Sequence, residues 1–123
     1  MRHLVSADRA YLWLLTEGVV SQVDEEGLDF AAMQTVMEAD ANAWQAFLAG
    51  DLDPDRIVVR HRDDGSESHA PLGVRLAQVI HHGTDHRSQI CTALTNLGIE
   101  PPAVDVWDFA REDGRLFEVF PGS

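Results

Sequence analysis

Between Pro71 and Gly98 the chain carries one uninterrupted helical stripe, and no other stretch limits its possible folds so tightly. Leu72, Leu76, Val79, Gly83, His86, Ile90, Ala93 and Leu97 recur three or four apart, the period of one face of an α-helix. A helix over 72–97 spans roughly 40 Å at about 1.5 Å per residue. Pro71 suits the start of such a helix. Gly98 suits a left-handed stop, and Pro101-Pro102 forbids continuation. A rod of that length with one apolar face needs other helices to cover it.

The rest of the chain supplies them. From Met1 to Gln22 the spacing of Leu4, Ala7, Tyr11, Leu14 and Leu15 predicts a first helix, with no capping sequence before it. Val5, Leu12, Trp13 and Val19 widen its apolar face, so it is expected to be covered on more than one side, within its own bundle or by a second subunit. Residues 22–27 read as an acidic turn. A second helix is expected over Leu28–Ala49, with Phe30, Met33, Met37, Trp44 and Leu48 on one face and a left-handed Gly50 at its end. Asp53-Pro54 breaks the helical pattern. The β-branched run Ile57-Val58-Val59 and the turn signal Asp63-Asp64-Gly65 predict a β-hairpin over 56–70. One or two helical turns are expected over Val104–Arg111, then an extended tail.

The expectation is therefore a mainly α, single-domain chain (1–123): a helical bundle with a short β-hairpin before the last long helix. Three long helices commonly take a fourth to close a core. Either a partner chain completes the bundle, which makes a homodimer the expected assembly, or an upstream helix is missing from this sequence.

Charge narrows the partners. The formal net charge is −12, from twenty-one acidic residues against nine basic ones, all Arg. Binding a polyphosphate backbone or an anionic lipid surface relies on clustered cations, so neither nucleic acid nor membrane is an expected partner. A divalent cation is a more natural guest. The single cysteine, Cys91, allows no intramolecular disulfide. No secretory leader is read at the N-terminus, and no apolar run reaches bilayer length, so the expected location is the cytoplasm.

The chemistry concentrates at His82-Gly83-Thr84-Asp85-His86. Imidazoles four apart on a helix lie one turn above each other, the spacing with which one helix offers two nitrogens to one transition metal. Gly83 between them costs about 1 kcal/mol of helix propensity relative to Ala, which points to close approach of a backbone or ligand. The competing reading is an ordinary pair of hydrogen-bonded histidines. A zinc-peptidase H-E-x-x-H site needs Glu where Gly83 stands. A diiron site needs Glu three residues before each His, where Val79 and Gly83 stand. What remains is a mononuclear site with a further ligand from another helix. His3 is the candidate, on the broad apolar face of the first helix above Ala7 and Ala10; its alternative is a frayed N-terminal histidine. His61, His69 and His81 read as surface residues or as supports for the ligands. Asp85 reads as a solvated charge or a partner of His81.

The stretch His82-Gly-Thr-Asp-His86-Arg87-Ser-Gln89-Ile90, with Leu97-Gly98-Ile99-Glu100-Pro101-Pro102 and Asp105 beyond it, resembles the last core helix of the DinB/YfiT-like metalloenzyme family and its exit. His3-Leu4-Val5-Ser6-Ala7-Asp8-Arg9-Ala10-Tyr11-Leu12 resembles that family's second helix. The likeness covers nearly the whole chain and implies a DinB-like helical bundle with metal ligands His3, His82 and His86. It further implies a divalent nickel, zinc or iron ion, and a possible thiol-dependent transferase or isomerase activity joining a low-molecular-weight thiol to a small electrophile. The family's first helix, expected before His3, has no counterpart here. No catalytic residue is nominated. The alternative is a non-catalytic helical dimerisation or interaction module with vestigial histidines.

Overall fold

The computed structural model describes residues 1–122. In chain order the elements are α1 (Arg2–Leu15), α2 (Phe30–Leu48), β1 (Ile57–His61), β2 (Glu67–Pro71), α3 (Leu72–Asn96) and α4 (Val106–Glu112). The chain is mainly α, with one two-stranded antiparallel hairpin before its longest helix.

α1 stops at Leu15, about two turns before the Gln22 that the apolar pattern predicts. Glu17 and Gly18 both take positive φ, 54° and 85°. The amide of Glu17 donates to Leu14 O and that of Gly18 to Trp13 O, a left-handed close that satisfies the last carbonyls. Val19 and Val20 continue the hydrophobic run beyond that stop. Composition extended the helix; backbone geometry ends it.

α2 begins where Asp29 accepts from the Ala32 amide at 2.7 Å, as an N-cap carboxylate should. Its end differs from expectation: Gly50 is not left-handed, and the chain leaves through a tight turn from the Gly50 amide to Phe47 O. Its buried face also differs. Phe30, Met37 and Leu48 are exposed, whereas Met33, Val36, Asp40, Trp44 and Phe47 form the inward stripe. The cause is Asp40, a carboxylate in the middle of that stripe and only 3% exposed. Its polarity hides the true face from hydrophobic patterning.

The hairpin pairs Ile57 with Pro71 and His61 with Glu67. Its loop closes through the Gly65 amide to Arg62 O and the Arg62 amide to Ser66 O, with Gly65 at φ 82°. That is the three-residue turn in which glycine takes the left-handed place. Leu72 and Gly73 open α3 by donating their amides to Arg56 O (2.8 Å) and Pro54 O (2.9 Å). A Cβ on Gly73 would stand 3.3 Å from Pro54 O, so this approach favours glycine. α3 ends as expected, with Gly98 at φ 74° and the Ile99 amide on Leu94 O. Of its predicted stripe, Ala93 and Leu97 are exposed.

Two compact units are present, Met1–His86 and the chain from Arg87 onward. In the first, Leu15, Val58 and Leu72 form a buried cluster, and Leu14, Trp44, Phe47, Leu52 and Leu76 pack on it. α1, α2, the hairpin and the start of α3 thus each contribute at least one side chain. Fully burying a residue such as Leu72 is worth about 1.5–3 kcal/mol. Polar ties fix the orientation. Arg9 Nε donates to Asp40 Oδ1 at 2.6 Å, and Trp44 Nε1 donates to Asp8 Oδ2 at 3.0 Å, joining α1 to α2. Arg75 on α3 donates to Val58 O (2.9 Å) and Ser68 O (2.7 Å), holding both strands of the hairpin. In the second unit α4 is capped by Asp105, which accepts from the Trp107 amide. It starts two residues later than the predicted Val104, and beyond it a turn at 113–114 leads into residues 116–120, which have no regular secondary structure. No helix among the described residues is long and apolar enough to cross a membrane.

Candidate metal centre

The first unit contains all three predicted ligands. α3 sets His82 and His86 one turn apart with their rings at 69° and their Nε2 atoms 3.1 Å from each other. Gly83, between them, is buried. The first turn of α1 brings the ring of His3 to 5.5 Å from that of His82 and 5.2 Å from that of His86, centroid to centroid. One ligand-type atom from each of His3, His82 and His86 lies within 4.8 Å of the other two. Among the described residues no other group of three His, Cys, Asp or Glu side chains gathers this closely. Residue 3 therefore converges on the pair instead of fraying away.

The surroundings favour a neutral ring at His82. Burial pushes the His82 pKa down, and the neighbouring His86 and His3 push it further; Asp85 and Asp8 act against them. A neutral imidazole keeps a lone pair on one nitrogen. Tyr11, two turns along α1 from His3, sets its ring edge-on to His82 at 5.9 Å and walls one side. His3 is the open side, with 59% of its side chain exposed.

Does this donor set fit a cation? Two imidazole nitrogens each about 2.0–2.1 Å from a shared centre stand roughly 3 Å apart. His82 and His86 already meet that spacing, at 3.1 Å. The same distance also serves an N–H···N bond between two neutral rings, so the pair is satisfied with or without an ion. Imidazoles suit zinc, nickel and iron alike. The three residues fit.

The remaining histidines stand elsewhere. His61 and His69 flank Glu67 on the exposed hairpin, at 3.2 Å and 2.7 Å, and that bonding holds the Glu67 carboxyl below its usual range, chiefly through His69. His81 and Asp85 are exposed, and no ion pair joins them among the described residues. Sequence reasoning missed one neighbour of the cluster. Glu25 Oε2 lies 3.5 Å from His3 Nδ1 and accepts from Ser6 Oγ at 3.0 Å. Nothing in the spacing marks it, because it comes from the loop between α1 and α2.

No curated protein matches the chain, and no solved structure does. The sequence profile of the DinB family matches residues 1–115. With that match spanning nearly its whole length, the chain belongs to the DinB family.

Proposed function

We propose that this protein binds one divalent transition-metal ion through His3, His82 and His86 and uses it on a small electrophile together with a low-molecular-weight thiol. The observation that carries the metal assignment is the convergence of three ligand-type atoms within 4.8 Å, drawn from two helices. The thiol and the electrophile rest on the family resemblance.

The chain's own residues would divide the work. His82 and His86 form a preset chelating pair on a rigid helix, and His3 closes the third corner from α1. Three neutral ligands bring no negative charge and leave coordination positions open, the pattern of catalytic rather than structural sites. A divalent ion held there would act as a Lewis acid and lower the pKa of a thiol or water toward neutrality. Tyr11 shields the His82 side from water, while the exposed edge of His3 marks the side from which a small molecule enters.

Metal analysis of protein purified without a histidine tag tests this. About one ion per chain is expected, as for a single site of this class, and the His82→Ala/His86→Ala double variant should lose it. Retention of the ion by the double variant would move the site elsewhere.

One observation favours a second reading. Phe30, Met37, Trp107 and Phe109 are all large apolar side chains more than 45% exposed, as in a non-catalytic helical module that dimerises or docks. A metal-free protein with undiminished stability that sediments as a dimer would support that reading over the first.

A further inference from the structure

We propose that Glu25 is the positioning residue of the three-histidine site, selecting which nitrogen of His3 faces His82 and His86. The inference rests on the metal-binding reading and adds a residue to it. His3 sits in the first turn of α1 with most of its side chain in solvent. Unaided, such a ring samples several rotamers and both neutral tautomers, and a ligand that must be ordered on binding costs affinity. Glu25 Oε2 lies 3.5 Å from its Nδ1. A carboxylate there favours the tautomer with the proton on Nδ1 and leaves the Nε2 lone pair for the cation, the carboxylate–histidine arrangement that orients metal ligands elsewhere.

Glu25 is itself held. Ser6 Oγ lies 3.0 Å from Glu25 Oε2 and 3.2 Å from His3 O. The Ser6 hydroxyl, one turn along α1 from His3, thus stands between the carboxylate and the backbone of the residue it would orient, with one proton to share between two acceptors. The loop is folded toward α1 by a second bond, from Arg9 Nη1 to Ser21 O at 3.2 Å. The carboxylate belongs to the loop rather than to α1, so its placement beside His3 is a tertiary arrangement.

The test is chelator competition with zinc alone and with nickel alone, on the full-length untagged chain. Glu25→Ala should weaken binding about 10- to 100-fold, the usual cost of removing such a support. Glu25→Gln, which retains an acceptor oxygen, should fall between it and wild type, and Ser6→Ala should show a smaller loss. In a His3→Ala background Glu25→Ala should change affinity less than about twofold, since paired effects couple only through the shared partner. A residue with only a structural role would weaken both backgrounds equally. That equality, or wild-type affinity in Glu25→Ala, overturns the inference while leaving the three-histidine site standing. Absence of binding by the wild-type chain overturns the site and this inference with it.

Discussion

Replacing Arg9 by Met would strand a buried charge. Arg9 Nε meets Asp40 Oδ1 at 2.6 Å, and the two side chains are only 12% and 5% exposed. Removing one partner of a buried pair costs about 3–5 kcal/mol, against a total stability of about 5–15 kcal/mol for a typical domain. The lower end applies, about 3 kcal/mol, because the stranded carboxyl can escape by protonation. That escape makes the loss depend on pH. Burial pushes the Asp40 pKa up, and the bond and charge of Arg9 pull it down, with Asp8 adding to the rise. An acid whose folded pKa exceeds its unfolded value binds more protons when folded, so stability falls as pH climbs from the unfolded pKa through the folded one. Without Arg9 both lowering influences vanish and the window extends upward. The deficit of Arg9→Met relative to wild type should therefore be small near pH 4, around the unfolded aspartate pKa of about 3.9, and should grow toward neutrality. Urea unfolding at acid and neutral pH, followed by tryptophan fluorescence and far-UV circular dichroism, measures it. Adding Asp40→Asn to Arg9→Met should recover most of the neutral-pH loss. An equal deficit at both pH values, or no recovery in the double variant, would refute the argument.

Two further outcomes follow from single contacts. Arg75→Ala deletes donors to Val58 O and Ser68 O and should cost about 2–3 kcal/mol, the scale for bonds to a charged group. Hydrogen exchange should accelerate across 57–71, and unchanged protection there would show that the hairpin does not depend on this guanidinium. Gly98→Ala places a Cβ at φ 74° in open space, so only the backbone cost of about 1–2 kcal/mol applies. Thermal unfolding of this variant at wild-type temperature would contradict that account.

How much of this was legible beforehand depended on whether the deciding interaction was local. α3 could be read from its stripe and its punctuation, because Pro71 and Gly98 act on their own neighbourhood. The hairpin turn was legible for the same reason. The early end of α1 lies in the left-handed geometry of Glu17 and Gly18, at a point where Val19 and Val20 keep the hydrophobic period going. On α2 hydrophobic patterning finds Met33 and Trp44 but also takes in the exposed Phe30, Met37 and Leu48, because the most buried residue of the helix is a carboxylate whose partner lies thirty-one residues away. At the site, the spacing of His82 and His86 was visible from the helix period alone. The entry of His3 needs α1 to pack so that its first turn reaches α3, which the family resemblance supplied and local pattern did not. Glu25 needed a loop to fold back across nineteen residues to Ser6, and no periodicity records that.

The division of ligands between helices has an energetic consequence. His3 belongs to α1 and the chelating pair to α3, so a bound ion would cross-link two elements that are free of each other in the unfolded chain. Anything that binds only the folded state stabilises it by RT ln(1 + [L]/Kd), about 2.7 kcal/mol at an ion concentration a hundred times Kd. For a chain of this size each kcal/mol moves the unfolding midpoint by roughly 3–6 °C, so stripping the ion with a chelator should lower Tm by roughly 10 °C. The unfolded chain keeps His82 and His86 close in sequence and retains some affinity, which reduces the shift. His3 is the ligand that unfolding removes from the pair, so most of the shift should vanish in His3→Ala even where that variant still binds metal. If His3→Ala kept the full chelator-dependent shift, the ion would be held by α3 alone. The convergence of the three rings would then be packing rather than coordination.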